Sequence, residues 1–166
     1  ETDVEDIIRK EEPFSEWQIR NIHQLILKNI DDDNAGRYRQ QNVLISGATS
    51  TPPDYTLLND KMAQLVDWYS NDAHKFHPIE RAAKVHADFV GIHPFIDGNG
   101  RTSRLLMNLE LLKAGYPPCV ITVENRLAYY EALDQWMAYG KTEAFIQLVS
   151  EAVLEGFKPY QVVLGI

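Results

Sequence analysis

Residues 93–104 run His-Pro-Phe-Ile-Asp-Gly-Asn-Gly-Arg-Thr-Ser-Arg, and this run constrains the path of the chain more tightly than any other stretch. Pro94 and Gly98 break any helix across them. From Asn99 to Ala114 apolar residues recur at helical spacing, and Gly115 closes that run with Pro117 and Pro118 beyond it. The chain must therefore turn through a glycine loop and open directly into a helix.

A helix start offers backbone N–H groups without intrahelical acceptors and a partial positive charge, so Gly98, Asn99 and Gly100 form a natural seat for a phosphate. Arg101 and Arg104 lie three apart, on one helix face, where forked guanidinium groups suit phosphate oxygens. Two cations beside a helix start oppose its dipole, a conflict that a bound anion removes. Asp97 is a hard oxygen ligand placed to hold a magnesium ion that also bridges phosphates. His93, four residues earlier, is the natural proton acceptor near neutral pH. Taken singly, each residue has a bland explanation: a structural histidine, a turn, a solvated arginine face. Their assembly within one short window points to phosphate chemistry.

Other phosphate and metal motifs do not fit. No stretch matches G-x-x-x-x-G-K-[ST], and Gly98-Asn99-Gly100 lacks the third glycine of G-x-G-x-x-G. His93 and Asp97 have the spacing of a helical metal pair, but Pro94 and Gly98 preclude the helix and no third ligand is evident, which disfavours zinc.

The run resembles the signature of the Fic family, H-x-F-x-[D/E]-G-N-G-R-x-x-R. His93, Phe95, Asp97, Gly98, Asn99, Gly100, Arg101 and Arg104 fill every defined position. The likeness extends from His77-Pro78 into Gly91-Ile92-His93, and from Leu105 through Tyr116-Pro117-Pro118. It implies an all-α Fic fold, a compact helical bundle with one short β-hairpin flap, spanning residues 1–166 as a single domain. It implies AMP transfer from ATP to a Ser, Thr or Tyr hydroxyl of a target protein, with pyrophosphate released. In that scheme His93 is the general base and Asp97 holds Mg²⁺. The Gly98 to Gly100 backbone binds phosphate oxygens, Arg101 supports the β-phosphate and Arg104 the γ-phosphate. Two alternatives are a related transferase of UMP or phosphocholine, and a catalytically idle domain that binds a peptide.

The rest of the chain is read mainly as helix. Ser15 with Gln18 suggests a capping box before a helix through Asn29, with Trp17, Ile22, Leu25 and Ile26 inward. Further helices are predicted over 54–69, 78–92, 99–114, 124–139 and 142–156. Between Asp31 and Pro53, turn residues followed by Val43-Leu44-Ile45 and Gly47 predict a short hairpin. The resemblance makes that hairpin the flap, with Val43, Leu44 and Ile45 aligning a target peptide by main-chain pairing. It also places the adenosine pocket near Tyr129 and Tyr130, whose rings can stack on adenine. His86 is read as structural.

With 166 residues the chain can bury a real core, and a net charge of −8 disfavours a nucleic-acid backbone as partner. The single cysteine, Cys119, cannot form an internal disulfide. No apolar run approaches a membrane span or signal peptide, so a cytoplasmic setting without membrane contact is expected. Apolar patterning leaves homodimerisation open. No [S/T]-x-x-x-E-[G/N] motif of the family's inhibitory helix is present; in the nearest stretch, Ser150 with Glu155-Gly156, one extra residue turns Glu155 by about 100°. The opening ETDVEDIIRK resembles the stretch that follows this helix in members carrying it upstream. That implies a fragment whose inhibitory helix preceded residue 1, with Arg104 free for the γ-phosphate, higher activity than its parent, and no route to AMP removal through that glutamate.

Overall fold

The computed structural model describes residues 13–165, which hold six α-helices and no strand among the described residues. They are α1 (Glu16–Leu27), α2 (Leu58–Asn71), α3 (Pro78–Ile92), α4 (Asn99–Lys113), α5 (Arg126–Tyr139) and α6 (Glu143–Leu164). The all-α expectation holds. Residues 1–12, on which the reading of an upstream inhibitory helix rests, lie outside the described residues.

Side-chain caps set the starts of two of the six α-helices and of one 3₁₀ turn among the described residues. Ser15 Oγ accepts from the Gln18 N–H at 3.1 Å and caps α1. His77 caps α3 reciprocally: its Nδ1 accepts from Ile79 N–H and Glu80 accepts from the His77 N–H, with Pro78 at the first helical position. Asp54 starts the short 3₁₀ turn Tyr55–Leu57 that leads into α2.

Helices α3 and α4, joined by the loop 93–98, pack together more extensively than any other pair among the described residues. Each contributes to two cores. On one side Phe14, Ile19, Ile22, Met62 and Leu65 meet Val85, Phe89, Phe95, Leu106 and Leu109. On the other, Ala83, Ala87, Val90, Met107 and Leu111 meet Tyr129, Leu133, Trp136, Phe145 and Val149. Glu110 is buried on α4 and accepts from the Tyr69 hydroxyl at 2.7 Å and Arg81 Nε at 3.0 Å. A buried carboxylate is tolerated because donors from α2 and α3 surround it.

Three expectations require correction. Trp17 is 62% exposed, because it lies about 140° around the helix from Ile22 and the buried stripe of α1 is Gln18, Ile19, Ile22, His23 and Leu27. Helix α6 continues beyond Gly156 through Pro159 to Leu164. Gly156 is a packing residue and not a stop: a Cβ there would sit 3.1 Å from Pro117 Cβ and Cγ. The expected hairpin is an extended loop with one turn: 37–53 has no partner strand, and its own Arg39 side chain, which donates to His93 O, and Asp134, which accepts from the Thr49 N–H, fix it instead.

Candidate active site

The loop 93–98 begins where α3 ends. His93 is the C-cap of α3, with its backbone in the left-handed region at φ 51°, and its N–H still donates to Phe89 O at 3.0 Å. That conformation is uncommon for a residue with a side chain. Arg39 holds it in place from outside: Nε donates to His93 O at 2.8 Å, Nη1 to Gln41 O and Nη2 to Pro53 O, and the Arg39 N–H donates to Pro94 O at 2.9 Å.

Beneath the loop, Asn99 is buried and its amide closes a ring on Phe95. Phe95 N–H donates to Asn99 Oδ1 at 3.0 Å, and Asn99 Nδ2 donates to Phe95 O at 2.8 Å. His23 on α1 supports the loop from the other side. The Gly36 N–H donates to its Nδ1 at 2.8 Å, so Nε2 carries the proton and donates to Asp97 O at 2.9 Å. Its ring stacks on Phe95 at 3.5 Å, and burial keeps its pKa below the ordinary histidine value. The loop that bears the chemistry is thereby made rigid by groups that take no part in it.

The first helical bond of α4 runs from Thr102 N to Gly98 O. The N–H groups of Asn99, Gly100 and Arg101 therefore have no intrahelical acceptor and mark an anion seat. A cavity of about 400 Å³ opens beside it, lined by His93, Gly100 and Arg104 together with Tyr129 and Tyr130 of α5 and Ile45–Ala48 of the extended loop. This is within the size range of small-molecule sites.

His93 is half-buried, and burial is the leading cause that lowers its pKa. Its Nδ1 lies 3.3 Å from Val90 O; a carbonyl can only accept, so Nδ1 carries the proton and Nε2 keeps its lone pair. Asp97 and Arg101 form an ion pair at 3.0 Å, with 64% and 41% of their side chains exposed. Tyr129 is buried, shares a 2.8 Å hydrogen bond with His86 Nε2, and burial pushes its phenol up to about 12. Tyr130 meets it edge-on and is half open to solvent. His86, fully buried and stacked on Phe145, is structural as expected.

The fold thus brings His93, Gly100, Arg104, Tyr129, Tyr130 and Ile45 to one cavity; Gly98 and Asn99 are buried, and Asp97 and Arg101, paired with each other and exposed, are not among its lining residues. Val43 is half-buried and Leu44 is 81% exposed; neither lines the cavity. Sequence reasoning missed Arg39, His23 and Asp134, which lie 54, 74 and 85 residues from the partners they hold. Nothing local to these residues marks them. Glu155, the nearest counterpart to an inhibitory glutamate, pairs with Lys158.

The fold and the site define an all-helical protein in which a histidine and a helix start border one cavity across a helix–loop–helix junction. The Fic/DOC family profile matches residues 13–111, and the chain belongs to that family. It is 42% identical over 145 residues to the protein adenylyltransferase Fic of Nematostella vectensis, covering 87% of this chain and 33% of that protein. It is 37% identical over 146 residues to the Aedes aegypti protein of the same name, covering 87% and 29%. The structure of C. elegans Fic-1 superposes with a TM-score of 0.84 at 32% identity, over 96% of this chain and 47% of that one. A Fic-domain signaling protein from Bacteroides thetaiotaomicron superposes with a TM-score of 0.81 at 30% identity, over 92% and 64%. The chain spans about a third of the length of these curated relatives.

Proposed function

We propose that this chain is the catalytic domain of a protein adenylyltransferase, which moves AMP from ATP to a Ser, Thr or Tyr hydroxyl of a target protein. The observation that carries the reading is the shared cavity, in which the proton-free Nε2 side of a neutral histidine stands beside an open helix start, an arginine and two tyrosines. The names of the two curated relatives favour AMP among the groups that this site could move.

In this reading the adenosine lies against Tyr130 and the rim of Tyr129, and the N–H groups of 99–101 bind phosphate oxygens. Arg104 faces the γ-phosphate, and Arg101 turns from Asp97 toward the β-phosphate. His93 Nε2 takes the proton from the target hydroxyl as its oxygen bonds to the α-phosphorus. The bond from that phosphorus to the bridging oxygen breaks, and pyrophosphate leaves in line. Burial suits His93 to this role because it keeps the ring unprotonated at neutral pH.

Magnesium belongs to the proposal as well. Mg²⁺ retains several waters and needs only one or two carboxylates beside phosphate oxygens, and the exposed Asp97 carboxylate fits that demand. Among the described residues no cluster of three or more His, Cys, Asp or Glu forms a complete cage, so Asp97 alone would hold the ion with the phosphates. When bound, Mg²⁺ neutralises charge that develops on the phosphate oxygens.

Intact mass spectrometry of this chain and of lysate proteins after incubation with ATP and Mg²⁺ tests the reading. Adenylate adducts are expected, reduced about 10²- to 10⁴-fold in rate by His93→Ala. Adducts that form equally fast without His93 would sink it, as would their absence when ATP is shown to bind.

A further inference from the structure

The segment 37–53 lies against the candidate site without a strand partner, so side-chain bonds to other elements decide where it sits. Arg39 fastens its base to the end of α3. Its far end is fastened by Asp134 of α5. The Thr49 N–H donates to Asp134 Oδ1 at 2.6 Å and the Thr49 hydroxyl to Asp134 Oδ2 at 2.7 Å, so both carboxylate oxygens are engaged by one residue. Between these fastenings the Ala48 N–H donates to Ile45 O at 3.1 Å and closes a turn, with Gly47 at φ 79°.

That turn lines the 400 Å³ cavity together with Tyr130 and with Asp134, which stands four residues beyond Tyr130. Residues four apart on a helix share a face. The helix that offers the aromatic surface therefore also carries the group that holds the turn. The hydrogen bonds from Thr49 keep the Asp134 carboxyl below the usual carboxylate range, so it is the ionised, acceptor-only form that grips the loop.

We propose that Asp134 is a positioning residue: through Thr49 it latches the turn Ile45–Ala48 down as a wall of the cavity, and a nucleotide bound there leaves only when the latch opens. The retention half of this statement rests on the nucleotide reading above; the latch itself does not.

The test uses Thr49→Val, Thr49→Ser, Asp134→Asn and the Thr49→Val/Asp134→Asn double variant. The readouts are the ATP dissociation rate in the presence of Mg²⁺ and amide hydrogen exchange over residues 45–50. Thr49→Val keeps the side-chain shape and the N–H but removes the hydroxyl arm of a charge-assisted pair. Exchange across the turn and the ATP off-rate are expected to rise roughly tenfold. Thr49→Ser restores the hydroxyl and is expected to restore both rates. Asp134→Asn falls between, since an amide retains one acceptor and can donate to the threonine oxygen.

If Asp134 works through Thr49, the effect of the double variant falls short of the product of the two single effects, since only the arm from the Thr49 N–H is left for Asp134→Asn to weaken. Exchange within α3 and α4 should stay unchanged throughout, which general destabilisation would not allow. Unchanged loop exchange in Thr49→Val overturns the latch, as do effects of the two substitutions that multiply. Faster loop exchange with an unchanged ATP off-rate overturns retention. Failure of the unsubstituted chain to bind ATP overturns retention together with the nucleotide reading, while the exchange data still decide the latch.

Discussion

Gly98 carries two separate demands. Its backbone lies at φ 79°, and a Cβ there would come within 3.1 Å of His23 Nε2 and 3.4 Å of Leu27 Cδ2. His23 cannot step aside, because the Gly36 N–H, the Asp97 carbonyl and the Phe95 ring each fix it. Left-handed strain of about 1–2 kcal/mol and an overpacking cost of similar size add up. Gly98→Ala is therefore expected to destabilise the chain by roughly 2–4 kcal/mol, read from urea unfolding; a loss below 0.5 kcal/mol would mean that His23 yields. The need for glycine beside a helix start was legible in the sequence, as was the pairing of chemistry-bearing residues in 93–104. The occupant of the space behind Gly98 was not, since His23 is 75 positions away.

Among the elements, the segment 37–53 shows where pattern and structure part. Val43, Leu44 and Ile45 favour extended backbone, but favouring extension is not the same as having a partner to pair with. Arg39 supplies much of what a ladder would have supplied, satisfying three carbonyls with one buried guanidinium. A lysine in its place has a single ammonium and cannot reach three acceptors in the same fork. Arg39→Lys is expected to lower stability by about 1–3 kcal/mol in urea unfolding while far-UV circular dichroism stays at the parent value, since no helix is lost. A loss of helical signal would instead place Arg39 among the residues that hold α3 itself. Helix α6 makes a related point: a glycine ends helices often enough to suggest a stop at Gly156, yet close approach to Pro117 is the reason a glycine stands there.

In the whole molecule, α3 and α4 form a spine between two cores, and the site loop joins them at one end. Burial in these cores lowers the pKa of His23, His86 and His93, and His86 falls to about 3. A depressed folded-state pKa contributes stability that is fully present above the unfolded value near 6.5 and is lost as pH falls from there toward about 3. Each such histidine steepens the fall by at most about 1.4 kcal/mol per pH unit. Unfolding free energies measured between pH 7 and 5 should decline, and His86→Gln should show a shallower decline; an identical slope would show that His86 is protonated in the folded state. Helix periodicity, capping residues and the order of groups in 93–104 were all written in neighbouring residues, because helical turns and short loops are made of contacts a few positions apart. The path of 37–53, the cradle that His23 and Arg39 make for the loop and the grip of Asp134 on Thr49 depend on groups brought together across 54 to 85 positions, and only the packed molecule creates those neighbours.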